Sequence, residues 1–270
     1  FTHSRKLQRH TRFLFAQGSI YLIHDGNLLY HGCIAMNDDG SFRSFNVDGQ
    51  TFAGKAFLDR VDRLARQGYF STDQPEQKQY GMDAMWFLWC APESPLFGKE
   101  KMATFERYFL ADPATHKEKR NAYYALRDKV ETAAKILQEF GLDSKTGHII
   151  NGHVPVKVVK GERPVKANGR LIVIDGGFSR AYQKETGIAG YTLISNSRGW
   201  LLAAHHAFES RQRAICDEID IDSVTEIIES HPERLHIKHT DEGKAIQQEI
   251  DQLKALLEAY REGAIKERQL

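Results

Sequence analysis

The 270-residue sequence predicts an α/β fold. Apolar runs of strand length occur at residues 19–31, 171–174 and 191–204, and the first and last of these contain turn residues that indicate hairpins. Residues 54–69 and 113–140 instead carry apolar side chains at helical spacing, as expected for helices that cover a sheet. Strands and helices that alternate along one chain are typical of α/β proteins.

The first third of the chain opens with a helical pattern over residues 6–15. Two strand-like runs on either side of Asp25 and Gly26 then predict a hairpin, and this hairpin ends at His31. Residues 82–90 are almost entirely apolar and include two tryptophans. We therefore expect residues 82–90 to lie in the core.

The remainder of the chain begins with a predicted helical stretch that Asp112 caps, Pro113 starts and Gly141 ends. The strand-like runs follow this stretch. Beyond Ser210 the charge rises and strand signals fade. Apolar residues then repeat with 4-3-4-3 spacing over residues 246–260, which predicts a final amphipathic helix.

The composition argues against several classes of function. The chain is 41% hydrophobic and 27% charged, and its 37 basic and 36 acidic residues give a formal charge of +1. This balance provides no broad field for nucleic acid or an anionic membrane. No apolar run approaches the ~20 residues that span a bilayer. Three widely spaced cysteines without a Cys-x-x-Cys pair are typical of reduced thiols, so we expect a cytoplasmic protein.

Two histidines each follow a strand-like run and adjoin a glycine. His31 precedes Gly32, and His153 follows Gly152. We expect both glycines to allow backbone geometry or a close approach that a side chain would block. The α/β enzymes present ligands at the carboxyl ends of their strands, and imidazole is a common metal ligand. The repeated arrangement therefore indicates one divalent metal centre. The alternative is that each histidine only hydrogen-bonds a nearby backbone carbonyl.

Asp175 also follows an apolar run, and two glycines come after it. One interpretation is a turn in which the carboxylate accepts hydrogen bonds from backbone N–H groups. The other is a carboxylate that orients a metal-bound histidine. His205 ends another apolar run without an adjacent glycine, so we expect a structural role for it.

Five segments resemble a known family. They read Tyr-His-Gly-Cys-Ile at 30–34, Ile-Asn-Gly-His-Val-Pro-Val-Lys at 150–157, Lys-Ala-Asn-Gly at 166–169, Ile-Asp-Gly-Gly-Phe-Ser at 174–179 and Gly-Ile-Ala-Gly-Tyr-Thr-Leu at 187–193. Together they resemble the class 3 fructose-1,6-bisphosphatases, manganese-dependent sugar phosphatases of bacteria that are related to the calcineurin-like metallophosphoesterases. The resemblance covers residues 1–208 and is looser in the tail.

The resemblance implies a calcineurin-like metallophosphatase sandwich, in which helices flank two sheets. The family's earlier metal motifs, Asp-x-His, Gly-Asp-x-x-Asp-Arg-Gly and Gly-Asn-His-Asp, have no counterpart in this sequence. We therefore expect the chain to be the carboxyl-terminal portion of a larger enzyme. Residues 1–208 would belong to its catalytic domain, and residues 209–270 would form a charged helical tail.

The resemblance also implies roles for individual residues. His31 and His153 would bind the same ion of a dinuclear manganese centre, and the remaining ligands would come from the absent motifs. Lys157 and Lys166 flank the His153 loop and are candidates for binding substrate phosphates, although surface lysines are common. The implied reaction converts fructose 1,6-bisphosphate and water to fructose 6-phosphate and phosphate, a gluconeogenic step. The sequence leaves a homo-oligomer open.

Two other functions compete with this one. A related metallophosphatase acting on a phosphoprotein or a dinucleoside polyphosphate would share the Gly-His-x-Pro loop. The long segment between His31 and His153 favours the sugar phosphatase over that alternative. A non-catalytic regulatory or oligomerisation module would not bind manganese through these two histidines, so metal affinity separates it from both enzymes.

Overall fold

A computed structural model describes residues 3–177, 179–208, 210–218 and 223–266. The predicted α/β class is confirmed. The strands are β1 Tyr21–His24, β2 Asn27–Tyr30, β3 Phe45–Val47, β4 Gln50–Phe52, β5 Ile149–Asn151, β6 Val165–Lys166, β7 Leu171–Val173, β8 Gly190–Asn196, β9 Gly199–His205 and β10 Ser223–Ser230. The helices are α1 Arg5–Gln17, α2 Gly54–Phe70, α3 Pro75–Cys90, α4 Thr104–Phe109, α5 Tyr123–Leu126, α6 Val130–Glu139, α7 Arg180–Thr186, α8 Arg211–Cys216 and α9 Asp241–Arg261.

The main sheet has the strand order β1-β2-β5-β7-β6. Its three central strands, β2, β5 and β7, are parallel, and the register aligns their last residues, Tyr30, Asn151 and Val173. The chain therefore leaves all three strands at the same edge, which we call the carboxyl edge. The outer strands β1 and β6 are antiparallel to their neighbours.

The predicted hairpin is confirmed as β1 and β2. Its two turn residues, Asp25 and Gly26, have φ values of 47° and 75°. A two-residue turn with positive φ at both positions matches the right-handed twist of the strands that it joins. Tyr21 pairs with Tyr30 in the resulting ladder, so His31 is the first residue beyond the strand at the carboxyl edge.

One core joins the sheets to the covering helices. Strands β5 and β7 are buried throughout, and β2 buries Leu28 and Tyr30. Their apolar side chains form one cluster with those of α6 and with Trp200 and Leu202 of β9. Full burial of each large apolar side chain stabilises the fold by about 1.5–3 kcal/mol. The fully buried members on the central strands and α6 are Leu28, Ile149, Leu171, Ile172, Val173, Ala133, Ile136 and Leu137. This core holds the carboxyl edge in place.

The prediction that residues 82–90 lie in the core is wrong for most of them. They belong to α3, but Trp86 is 64% exposed and Trp89 is 69% exposed. The helix contacts α2 along one side only, where Gly68 and Gly81 meet so closely that a Cβ on Gly81 would lie 2.5 Å from the Gly68 Cα atom. The last seven residues of the helix, 84–90, are all apolar, and several of their side chains are therefore left uncovered by the described residues.

The helical stretch predicted over residues 113–140 is interrupted. A 3₁₀ turn at Pro113–His116, α5 and α6 replace one continuous helix, although Gly141 ends α6 with a φ of 73°, as predicted.

None of the described helices combines the length and apolarity that a membrane span requires.

The expectation that strands end before Ser210 is also wrong. Strand β10 pairs with β9 from Ser223 opposite His205 to Ser230 opposite Gly199. Most of its side chains are exposed, so its stability comes from the backbone ladder and not from apolar burial that a sequence pattern could show. The predicted final helix is confirmed as α9. The domain boundary after residue 208 stays a prediction.

Candidate metal centre

The structure brings His31 and His153 together at the carboxyl edge. His31 directly follows β2, and His153 lies two residues after the end of the adjacent strand β5. The Nδ1 atom of His153 is 3.2 Å from the Nε2 atom of His31, and the two rings are inclined at 75°. The two ring nitrogens therefore lie within hydrogen-bond distance of each other, and binding of one metal ion by both stays a prediction.

The backbone at His153 is strained. Its φ is 67°, and the Val154 N–H donates to the Gly152 carbonyl at 2.8 Å, which closes a tight turn around the histidine. A left-handed conformation at a residue other than glycine costs about 1–3 kcal/mol and persists only when its surroundings enforce it. The strained position is thus the proposed ligand itself.

The two glycines beside the histidines differ in their role. A Cβ atom on Gly32 would lie 1.9 Å from the Pro95 carbonyl oxygen, to which the Cys33 N–H donates at 2.8 Å. A Cβ atom on Gly152 would meet nothing closer than 3.4 Å. The expectation that a glycine permits close approach is therefore confirmed at Gly32 and wrong at Gly152.

Hydrogen bonding fixes which nitrogen of His153 is free. Its Nε2 atom lies 3.0 Å from the Phe97 carbonyl oxygen, which can only accept, so we assign the ring hydrogen to Nε2. The Nδ1 lone pair then points towards His31. Burial lowers the pKa of His153 and outweighs the Phe97 hydrogen bond, which raises it. The lowered pKa favours the neutral imidazole that a metal requires.

The separation of the two nitrogens fits a single divalent ion. With metal–nitrogen bonds of about 2.1 Å and an angle of about 90–110°, two neighbouring ligands lie roughly 3.0–3.4 Å apart. Within the part of the chain that the structure describes, no carboxylate, thiolate or further imidazole completes a group of three donors with His31 and His153 within 4.8 Å. The pair can hold one ion but cannot complete its coordination.

The turn predicted at Asp175 is confirmed. Its Oδ1 atom accepts a hydrogen bond from the Gly177 N–H at 3.0 Å, and Gly177 has a φ of 67°. The Asp175 backbone carbonyl also accepts from Val156 N–H at 2.8 Å, which ties the turn to the chain after His153. The charge of Asp175 raises the pKa of His153, against the larger effect of burial. A role for Asp175 in orienting His153 stays a prediction.

The two candidate lysines are engaged elsewhere. Lys166 pairs with Leu171 at the start of β7, away from the carboxyl edge, and its Nζ atom lies 2.8 Å from the Asp128 carboxylate. The Nζ atom of Lys157 lies 3.5 Å from the Glu185 carboxylate. The structure thus places Lys166 at the opposite end of the sheet. Phosphate binding by either lysine stays a prediction.

His205 has a different environment from the histidine pair. Its Nε2 atom lies 2.8 Å from the Thr192 hydroxyl, and its Nδ1 atom lies 2.8 Å from the Ser223 hydroxyl. Both ring nitrogens therefore have partners on neighbouring strands of the second sheet. This arrangement supports the structural role expected for His205.

A second group of potential ligands was not foreseen from the sequence. His24, Asp25 and Asp241 place three donor atoms within 4.8 Å of one another, all on exposed side chains. Asp25 and Asp241 are 216 residues apart, so no local pattern could reveal the group. Each aspartate accepts the other's backbone N–H at 2.7 Å, which accounts for their proximity without a metal.

A cavity of about 1140 Å³ borders His31. It lies between α1, α2, α3 and the main sheet, and its walls are mostly apolar. His31, Gly152 and Asp175 line this cavity, and His153 is not among its lining residues. The apolar wall residues include Leu14, Phe15, Leu29, Met85, Trp89 and Ile150.

Comparison with known proteins gives a consistent result. A family model described as Firmicute fructose-1,6-bisphosphatase matches residues 1–262. The class 3 fructose-1,6-bisphosphatase of Clostridium botulinum strain 657 is 55% identical over 267 residues, and that of Alkaliphilus metalliredigens is 54% identical over 269 residues. Each alignment covers 99% of this chain and 40% of the relative, so the chain spans about two fifths of the relatives' length. No solved structure gives a significant match.

Proposed function

The chain belongs to the Firmicute fructose-1,6-bisphosphatase family, and from this we propose that it forms part of an enzyme that hydrolyses fructose 1,6-bisphosphate to fructose 6-phosphate and phosphate. The names of the relatives at about 55% identity support this substrate. The proposal concerns the whole enzyme, because the chain spans only 40% of those relatives. The corresponding metabolic role is gluconeogenesis.

One observation carries the proposal for the site: the Nδ1 atom of His153 and the Nε2 atom of His31 face each other at 3.2 Å. We propose that these atoms bind the same ion of a dinuclear manganese centre. Carboxylate oxygens suit manganese, and they would have to be supplied by residues outside this pair. The manganese assignment itself rests on the resemblance of the sequence to its family.

The residues of this chain would prepare the site for hydrolysis. When bound, a pair of divalent ions activates water and stabilises the charge that develops at phosphorus. His31 and His153 would fix the position of one ion relative to the sheet. The Phe97 carbonyl would keep the ring hydrogen of His153 on Nε2, so that Nδ1 remains a donor. Asp175 would stabilise positive charge near His153.

We further propose that the described sheets belong to a calcineurin-like sandwich flanked by helices. The five-stranded and three-stranded sheets share one core, in which Leu171 of the first and Trp200 of the second both take part. Helix α6 covers the main sheet through Ile136 and Leu137. These contacts support a two-sheet architecture with the histidine pair at its edge.

The function can be tested in a full-length enzyme that contains this chain. We expect manganese-dependent release of phosphate from fructose 1,6-bisphosphate, and much slower release from a phosphopeptide or a dinucleoside tetraphosphate. His153→Ala should abolish turnover, whereas His205→Ala should leave it near wild type. Equal activity on the phosphopeptide, or full activity after His153→Ala, would overturn the proposal.

A further inference from the structure

We infer that Asn151 is a positioning residue that sets the placement of His31 relative to His153. This inference rests on the proposed metal site and extends it to a residue that contacts neither the substrate nor the ion. Asn151 is the last residue of β5, two positions before His153, and it is only 1% exposed. A polar residue at the end of a buried apolar strand requires hydrogen-bond partners.

The amide group of Asn151 is directed at the chain that carries His31. Its Nδ2 atom lies 3.2 Å from the Tyr30 carbonyl oxygen, 3.2 Å from that of His31 and 2.7 Å from that of Gly32. Three consecutive carbonyl groups thus converge on one amide nitrogen. This convergence bends the chain as it leaves β2 and holds the backbone of His31 against β5.

The other end of the amide is fixed as well. Its Oδ1 atom accepts hydrogen bonds from the Tyr123 hydroxyl at 3.0 Å and from the Arg127 guanidinium at 3.2 Å. An inverted amide would place its oxygen against the three carbonyl oxygens and its nitrogen against two donors. The orientation of Asn151 is therefore determined by its partners.

The network around Asn151 is buried and resists rearrangement. Tyr123 is fully buried, Arg127 is 5% exposed, and the Tyr123 hydroxyl also lies 2.7 Å from that of Tyr30. Leaving a buried polar group without a partner costs about 1–3 kcal/mol. The network can therefore hold the strained turn at His153, where φ is 67°.

A backbone hydrogen bond completes the link between the two ligands. The Gly152 N–H donates to the His31 carbonyl at 3.1 Å, and the same carbonyl accepts from Asn151. Both histidines are thus connected to Asn151, one through its side chain and the other through two residues of backbone. Removing the N–H donors of Asn151 should shift His31 relative to His153 and leave the core intact.

The test compares Asn151→Asp with Tyr123→Phe in the 270-residue chain. Aspartate keeps the shape and the acceptor but lacks the N–H donors. Phenylalanine removes a buried hydroxyl from the same network, and Arg127 remains to fix the amide. We expect Asn151→Asp to weaken manganese binding about 10–100-fold, the usual loss for residues that orient metal ligands. Tyr123→Phe should change the affinity less than about twofold and lower only the stability.

The imidazole ¹⁵N resonances of the metal-free protein provide an independent readout. Those of His31 and His153 should shift in Asn151→Asp and stay close to wild type in Tyr123→Phe. If Asn151→Asp does not fold, Asn151→Ser replaces it, because serine keeps one donor and adds no charge. We expect Asn151→Ser to bind manganese about tenfold more weakly than the wild-type chain. Circular dichroism verifies that each variant is folded.

Two results would overturn the inference. One is a folded Asn151 variant with wild-type manganese affinity and unshifted imidazole resonances. The other is an equal loss of affinity in Tyr123→Phe. If manganese binding by the wild-type chain does not depend on His153, the proposed metal site fails instead. The metal-free resonances then decide whether Asn151 still positions the two imidazoles.

Discussion

The Nδ1 atom of His153 lies 3.2 Å from the Nε2 atom of His31, although 122 residues separate them in the sequence. Parallel pairing of β2 with β5 produces this proximity, because it aligns Tyr30 with Asn151 at the ends of the two strands. The site is therefore a consequence of sheet register. Strand pairing therefore brings together two histidines that no local sequence motif would join.

If the two histidines bind the same ion, their substitutions cannot act independently. His31→Ala and His153→Ala should each weaken manganese binding strongly, and the double variant should be little worse than either single variant. Titration by electron paramagnetic resonance would measure these affinities. His205→Ala is the control, because both of its ring nitrogens have hydroxyl partners. The assignment of both histidines to one ion would be contradicted if the losses of manganese affinity in His31→Ala and His153→Ala were additive in the double variant. An equal loss of affinity in His205→Ala would also contradict it.

Gly32→Ala should destabilise the protein much more than Gly152→Ala. A Cβ atom at Gly32 would lie 1.9 Å from the Pro95 carbonyl oxygen and 3.0 Å from its carbon, both in backbone that cannot simply rotate away. Overpacking of this kind costs about 1–3 kcal/mol, occasionally more. At Gly152 the nearest atom would be at 3.4 Å, an ordinary contact. Urea unfolding of both variants would measure the difference, and equal stabilities would be inconsistent with the close approach at Gly32.

The two glycines also show what the sequence could and could not predict. Both adjoin a strand-end histidine, so the same local pattern suggested the same role for each. Only the tertiary position of Pro95, more than sixty residues from Gly32, separates them. The Asp25-Gly26 hairpin, by contrast, depends on local turn preference and was predicted correctly.

The wrong predictions about the fold have a similar origin. The apolar composition of residues 82–90 predicted a core position for Trp86 and Trp89, but a stretch that is apolar on every side does not reveal which side is covered. Strand β10 was missed because its stability comes from pairing with β9 and not from a buried face. Asn151 carried a usable signal, since a polar residue ends an apolar run, but its partners Tyr123 and Arg127 are known only from the structure.

His148 should make the stability of the protein depend on pH. It is 4% exposed, its Nε2 atom lies 2.7 Å from the Glu229 carboxylate, and its ring stacks on Trp200. Burial lowers the pKa of His148 below its ordinary 6.5 and outweighs the opposite effect of Glu229. Below about pH 6.5 the unfolded chain therefore takes up a proton that the folded protein does not, and the free energy of unfolding falls as the pH falls.

The variant His148→Gln should remove this contribution. Urea unfolding between about pH 7.5 and 5 should show that the free energy of unfolding falls less steeply with pH in the variant. The difference in slope should be up to about 1.4 kcal/mol per pH unit. His153 contributes a slope of the same sign, because burial lowers its pKa too, and the variant keeps that part. An unchanged slope would show that His148 does not remain neutral in the folded protein.

The 270-residue chain on its own should lack phosphatase activity. His31 and His153 offer two neutral donors for one ion, and the described residues add no carboxylate that could complete or bridge a two-metal centre there. We therefore expect manganese binding that depends on His153, with no phosphate released from fructose 1,6-bisphosphate above the buffer rate. A full-length enzyme containing the chain, assayed in parallel, is the positive control. Manganese-dependent release by the purified chain, lost in His153→Ala, would mean that the chain completes the centre with its own residues.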